Sequence, residues 1–404
     1  MPQVTVPASF YRGGTSRAVL FREADLAQYD DAAQRAIILA ALGSPDPYGR
    51  EIDGLGGGIS SLSKVCIVGA AGPDSGADVT FRFGQVDVET PVVEFMGTCG
   101  NMSAAIGPFA VDEGLVEAVE PVTTVRVLSV NTGQSYVCHV PVKDGRAEVE
   151  GDYSIDGVPG PAARIALEFL EPGGSLGKGL LPTGKIRETI TLADGRTFEV
   201  SLVDAANPLV FVRASDLGSD ATERPDEVDA NLPLHSTLEE IRDHAAVLLG
   251  FAPDAATART SAKAQPKVMM VAPPKGYRTT GGVELPAERI DLTVRMISMS
   301  KCHRTLAGTA GICTSVAAAI EGTVVHEVAR AGSGASGEVR IGHGAGVIDI
   351  GVKAERRPEG WHVVSVSTFR SARRIMDGRI YVPSKYLAGT AWFQTPREAP
   401  AAAR

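Results

Sequence analysis

The chain is poor in the residues that build covalently or metal-held scaffolds. It has five cysteines, Cys66, Cys99, Cys138, Cys302 and Cys313. The set is odd and scattered, with no Cys-x-x-Cys pair, which excludes a disulfide framework and a zinc cluster and reads as reduced thiols. The histidines show no ligand spacing, so no metal site is expected. Basic residues do not outnumber acidic ones: the net charge of −9 argues against a nucleic-acid surface, although a local basic pocket could sit inside an acidic shell. No apolar run approaches a membrane span, and Met1-Pro2-Gln3-Val4-Thr5 lacks the charged and apolar parts of a signal peptide, so the expected location is the cytoplasm. What is present, 44% hydrophobic and 22% charged residues over 404 positions, is the composition of a soluble protein with about two cores.

The stretch richest in chemistry is Gly97-Thr98-Cys99-Gly100-Asn101-Met102-Ser103, followed by small residues to Ala110. It reads as a tight turn entering a helix. The free N–H groups and positive end of a helix start favour a thiolate, and equally the carboxylate of a substrate. Cys99 could instead be a small buried hydrophobe, but the glycine on either side of Thr98-Cys99 argues for a backbone bent toward a ligand.

Three other segments carry site candidates. Arg12-Gly13-Gly14-Thr15-Ser16-Arg17 is either an anion-holding loop, with guanidinium groups able to grip a carboxylate bidentately, or a hairpin turn with solvated arginines. In Gly54-Leu55-Gly56-Gly57-Gly58-Ile59-Ser60-Ser61-Leu62-Ser63-Lys64, Lys64 enters a β-rich run and not a helix, so this is no P-loop. Burial there would lower the lysine pKa and make it a usable base; the alternative is a surface lysine on an edge strand. Asn207-Pro208 would turn the chain between two strands and aim an amide inward.

The second half repeats the first in outline. A helical stretch near 236–250 precedes a strand from Pro266-Lys267, and another strand leads to His303-Arg304-Thr305-Leu306-Ala307-Gly308-Thr309-Ala310-Gly311 and a second helix of small residues. His303 and His343 could donate to a carboxylate or make structural hydrogen bonds. Arg370, Arg373 and Arg374 could reach an interior cleft or merely cap the surface, and the surface is favoured for most of them. One amphipathic helix is predicted over 23–42, a Gly/Pro-rich crossing over 157–184, and a disordered tail over 395–404.

Taken in order, Arg-Gly-Gly-Thr-Ser at 12–16, Gly-Leu-Gly-Gly-Gly-Ile-Ser-Ser at 54–61 with Ser63-Lys64, Cys99-Gly100-Asn101 with Gly107-Pro108-Phe109-Ala110, Asp204-Ala205-Ala206-Asn207-Pro208, Gly308-Thr309-Ala310-Gly311-Ile312-Cys313 and Ala372-Arg373-Arg374-Ile375-Met376-Asp377-Gly378 resemble the PrpF family over nearly the whole chain. Its members include methylaconitate, methylitaconate and aconitate isomerases and oxalomesaconate tautomerase. The resemblance implies an α+β, diaminopimelate-epimerase-like fold: two similar domains, each a mostly antiparallel sheet wrapped round a central helix, with the active site in the cleft between them. It divides the chain into 1–185, completed by 372–394, and 186–371.

The resemblance further implies a cofactor-free isomerase that moves a proton along a small unsaturated di- or tricarboxylate, with Lys64 and Cys99 as the acid–base pair and their order open. The expected substrate contacts are Arg12, Gly13, Gly14, Thr15, Ser16, Ser60, Ser61, Gly100, Asn101, Met102, Asn207, Lys267, His303, Gly308, Thr309, Gly311 and His343. Met102 stands where the family commonly has a second cysteine, and His343-Gly344-Ala345-Gly346 replaces the usual His-Pro-Ser-Gly. Two other readings are an accessory protein that binds carboxylates without turning them over, and an amino-acid epimerase. No macromolecular partner is expected beyond a second copy in a homodimer.

Overall fold

Small side chains decide where the two core helices lie. The first, Ser103–Asp112, reads SAAIGPFAVD and is buried from Ser103 to Val111. Gly107 lets the sheet close on it, since a Cβ there would come within 2.6 Å of the Cys138 sulfur and of Val140. The second, Gly308–Ala319, reads GTAGICTSVAAA and is buried from Gly308 to Ala318. Helices with no polar face persist only when enclosed, and here strands wrap both. The structure, a computed structural model, describes residues 3–332 and 337–387.

The two halves share one strand grammar. Gln3–Gly13 pairs antiparallel with Ser16–Arg22, which runs parallel to Lys64–Ala70. That strand is antiparallel to Val79–Val86, which is parallel to Val122–Ser129, and antiparallel Ser135–Lys143 and Ile165–Leu170 follow. Thr197–Ala205, Asn207–Arg213, Lys267–Ala272, Leu292–Ser298, Glu338–His343, Gly346–Arg357 and Gly360–Arg370 repeat the same succession of senses. Each parallel step needs a crossover. Helices Asp31–Leu42 and Leu232–Leu249 fill the first crossover of each half, and the core helices lie in the second. The repeat places Lys64 and Lys267 at the same point, the first residue of the third strand.

Two pairings weld the halves. Gly360–Arg370 bonds to Ile165–Leu170, and Ala372–Pro383 returns along the whole of Gln3–Gly13. The result is the epimerase-like α+β architecture that the sequence pointed to.

Two local expectations need correction. Residues 23–42 form two helices, Glu23–Leu26 and Asp31–Leu42, because the Asp30 carboxylate caps Ala33 N–H and starts a fresh helix there. The Gly/Pro-rich span 157–184 contains the strand Ile165–Leu170, whose alternating burial serves both neighbouring strands. Glu338–His343 and Gly346–Arg357 form a hairpin that turns at Gly344-Ala345. The predicted tail at 395–404 lies outside the described residues, as do 388–394.

Candidate active site

The two core helices meet head to head. A Cβ on Gly100 would lie 2.7 Å from the Thr309 nitrogen, and a Cβ on Gly308 would lie 2.7 Å from the Gly100 carbonyl carbon. Only glycine at both positions allows this approach. Neither helix carries a side-chain cap at its start, Met102 in one case and Ala307 in the other, so the N-terminal dipoles of both point at the junction unscreened by a capping group.

Asn207 braces this junction. Its Oδ1 accepts from Thr98 N–H at 3.0 Å, while its Nδ2 donates to the Thr98 carbonyl at 2.8 Å and to Thr309 Oγ1 at 2.9 Å. The amide does point inward, yet its hydrogen bonds go to the protein, and its part is to fix the Cys99 turn against the second helix. Ala206, at φ 63°, makes the tight turn that aims it.

Around the junction lie the ionisable groups. Lys64 and Cys99 are both buried. Burial lowers the Lys64 pKa, and Cys99 and Cys66 are the near groups that act against the shift. The Lys64 ammonium donates to Gln85 Oε1 at 2.5 Å and sits 5.3 Å from the centre of the Phe83 ring. Gln85 is pinned: its Nε2 donates to the carbonyls of Ser60, Ser63 and Val86, so Oε1 has to face the lysine. Lys267, the repeat partner of Lys64, is brought down to about 8 by burial and by the positive charge of Lys64. Its Nζ donates to the Ala264 carbonyl at 3.1 Å.

His303 feels both lysines, and burial pushes it down to about 3, so it is neutral at physiological pH. His343 is also pushed to about 3, by burial first and then by Arg295 and Arg370. In each ring Nδ1 accepts a backbone N–H two residues on, from Thr305 and from Ala345, both at 3.2 Å. The hydrogen-bond pattern therefore assigns the proton to Nε2, and each histidine presents an N–H donor.

Several sequence candidates take other roles. Arg12 gives Nη1 to the carbonyls of Gly14 and Ser371, holding the Gly13-Gly14 loop in place. Gly13 and Gly14 pack directly on Asn101. Asn101 Nδ2 donates to Thr15 Oγ1 at 3.0 Å and reaches Ser16 Oγ at 3.4 Å. Ser60 and Ser61 are buried, and their carbonyls accept from Gln85 Nε2 and from Arg17 N–H. Met102 is fully enclosed. Gly311 looks away from the junction, toward Ile348, Ile350 and Leu306. Cys313 gives its thiol to the Val203 carbonyl, and burial drives its pKa far up, as expected of a packing cysteine.

Two residues escape a reading of the sequence. Gln85 faces Lys64 only through strand register. Arg370, one of three arginines for which the sequence left cleft or surface open and favoured the surface for most, is buried, with Nε on Asn101 Oδ1 at 3.3 Å and Nη1 on the Phe369 carbonyl at 2.8 Å.

The duplicated α+β frame, with two helix starts facing a buried lysine and a buried thiol, is the fold also seen in racemases and epimerases. A hydroxyproline epimerase from Agrobacterium vitis shares the fold with a TM-score of 0.53 at 12% identity, covering 95% of both chains. The chain belongs to the PrpF family, whose model matches residues 3–383. It is 38% identical to 2-methyl-aconitate isomerase of Shewanella oneidensis over 95% of this chain and 98% of that one. The solved methylitaconate-delta-isomerase superposes with a TM-score of 0.74 at 38% identity, covering 99% of this chain and 100% of its own.

Proposed function

We propose that this isomerase moves a proton along a small unsaturated di- or tricarboxylate without a cofactor, in the cytoplasm, using Lys64 and Cys99 as acid and base. The observation that carries the reading is the burial of Lys64 and Cys99, with the half-buried Lys267 beside them, where the two helix starts meet. A carbon acid next to a carboxylate is weak, so the site must hold the charge that spreads into the carboxylate as the proton leaves. Uncapped helix starts, Lys267 and the neutral His303 N–H supply that charge complement. Burial lowers the Lys64 pKa and so eases release of its proton; one of Lys64 and the neighbouring thiol takes the proton and the other returns one at the far end of the allyl system, in an order left open.

The second half offers no thiol to match Cys99, because Ala307 precedes Gly308 where Cys99 precedes Gly100. A two-thiol epimerase mechanism therefore has no counterpart here. The deciding measurement is proton NMR of methylaconitate, methylitaconate, aconitate and oxalomesaconate with the protein in deuterium oxide. Loss of allylic or vinylic proton signals with formation of the isomer is expected. Binding without exchange would instead mark a carboxylate-binding accessory protein, and scrambling of an amino-acid stereocentre an epimerase.

Lys267 gives this reading a pH signature. It is charged below about 8 and loses its proton above, so attraction for a carboxylate fades as the pH rises through that value. KM measured from pH 6.5 to 9.5 should climb about tenfold per pH unit beyond 8, and Lys267→Met should flatten the climb.

A further inference from the structure

Beyond Thr15 and Asn101 the structure opens a polar cavity of about 200 Å³, lined among others by Tyr153, His343, Arg370, Arg289 and Asp349. It does not reach Lys64 or Cys99. His303 links the two places, close enough to be felt by both lysines on one side and by His343 on the other.

Accounting for hydrogen bonds in its wall leaves a particular remainder. Thr15 Oγ1 accepts from Asn101 Nδ2 and from Thr305 Oγ1 at 2.9 Å, so its own hydrogen is left to donate. His343 has Nδ1 committed to Ala345 N–H and keeps Nε2–H. Arg370 commits Nε to Asn101, and Nη1 to Thr368 Oγ1 and the Phe369 carbonyl, which leaves Nη2 to be shared between the Tyr153 hydroxyl and the cavity. The remaining groups from these three buried or half-buried side chains are all donors. Among the described residues no hydrogen bond joins the wall's carboxyl groups to these donors: Asp156 accepts the Val347 N–H at 2.7 Å, and Asp349 lies opposite Arg289 and Arg340, although its charge also reaches Arg370. A set of convergent donors on a buried guanidinium is built for a carboxylate.

We propose that this cavity seats a carboxylate of the substrate remote from the moving proton, with Arg370, His343 and Thr15 as its donors, and so selects a tricarboxylate over a dicarboxylate. The assignment rests on the isomerase reading above, since it takes the cavity and the lysine pair as two ends of one substrate site. It also gives a physical meaning to Ala345 in the turn after His343. Without a hydroxyl side chain at that position, the turn contributes its N–H to orienting His343, and the arginine carries the charge.

The test uses inert ligands, so that binding is read apart from turnover. Calorimetry with tricarballylate, a saturated tricarboxylate, and with glutarate should show the wild-type protein favouring tricarballylate by at least tenfold. Thr15→Val, which keeps the shape but removes the donor together with the acceptor for Asn101 and Thr305, should weaken tricarballylate severalfold more than glutarate. Arg370→Met should remove the preference altogether, and with a reactive tricarboxylate it should raise KM far more than it lowers kcat. Equal affinity for the two ligands in the wild-type protein, or equal losses for both in Thr15→Val, would overturn the assignment. Preference for tricarballylate in a protein that exchanges no carbon-bound hydrogen would overturn the isomerase mechanism and leave the carboxylate seat standing.

Discussion

Lys64→Met should lower the rate of carbon–hydrogen exchange by about 10³-fold while the protein stays folded. Loss of a positioned acid–base group ordinarily costs about 10²–10⁴ in rate, and no other amine occupies the Lys64 position, because Lys267 is the repeat partner on the other half. Methionine fits the volume and relieves the burial of a cation, but it leaves Gln85 Oε1 unpaired, at about 1–3 kcal/mol. These effects oppose each other, so the melting temperature should move by only a few degrees while kcat collapses. Retained exchange in folded Lys64→Met would remove the lysine from the mechanism.

A companion variant asks what the pinned amide does. In Gln85→Glu the same geometry places a carboxylate on the ammonium, which favours its charged form, and an opposite charge at this range raises an amine pKa by about 1–3 units. The limb of the pH–rate profile that belongs to Lys64 should then move to higher pH. If Lys64 is the base, activity near neutrality falls with it; if it is the acid, activity persists further into alkali. The sign of the change at pH 7 thus settles the order of proton transfer.

Much of this arrangement is legible in the amino-acid sequence. Helices made of alanine, glycine and small apolar residues demand enclosure, and two of them placed alike in the chain imply a duplicated frame. Glycines bracketing Thr98-Cys99 and the lysine opening a β-run mark the candidate site. What stays hidden is everything set by register and closure. Gln85 meets Lys64 because two strands pair at one offset and not another, and a shift of one residue would have turned it to the opposite face. Arg370 sits among arginines at the end of a strand, a pattern that also describes a solvated edge; only the packing of Gly14 and Asn101 against it reveals its burial. Asn207 shows the reverse case, where an inward amide was read as a substrate contact and the folded chain uses it as a brace.

Gly100→Ala should cost about 10²-fold in kcat/KM from a single added methyl group. Its Cβ would stand 2.7 Å from the Thr309 nitrogen and 2.8 Å from the Gly308 carbonyl carbon, and backbone cannot yield as a side chain would. The helix starts must separate, and with them Cys99 moves relative to Lys267. Misplacement of reacting groups by about 1 Å is enough for a loss of that size, while overpacking of this kind costs about 1–3 kcal/mol in stability. Gly308→Ala meets the mirror-image contacts, 2.7 Å from the Gly100 carbonyl carbon and 2.8 Å from the Asn101 nitrogen, and should behave alike. Gly311→Ala is the contrast: its Cβ would meet only side-chain atoms of Ile350, Ile348 and Leu306 at 3.2 Å or more, and a helical alanine gains about 0.5–1 kcal/mol over glycine. Steady-state kinetics and thermal melts of the three variants separate the possibilities. If Gly100→Ala and Gly311→Ala lost activity equally, close approach of the two helix starts would not be what aligns the site.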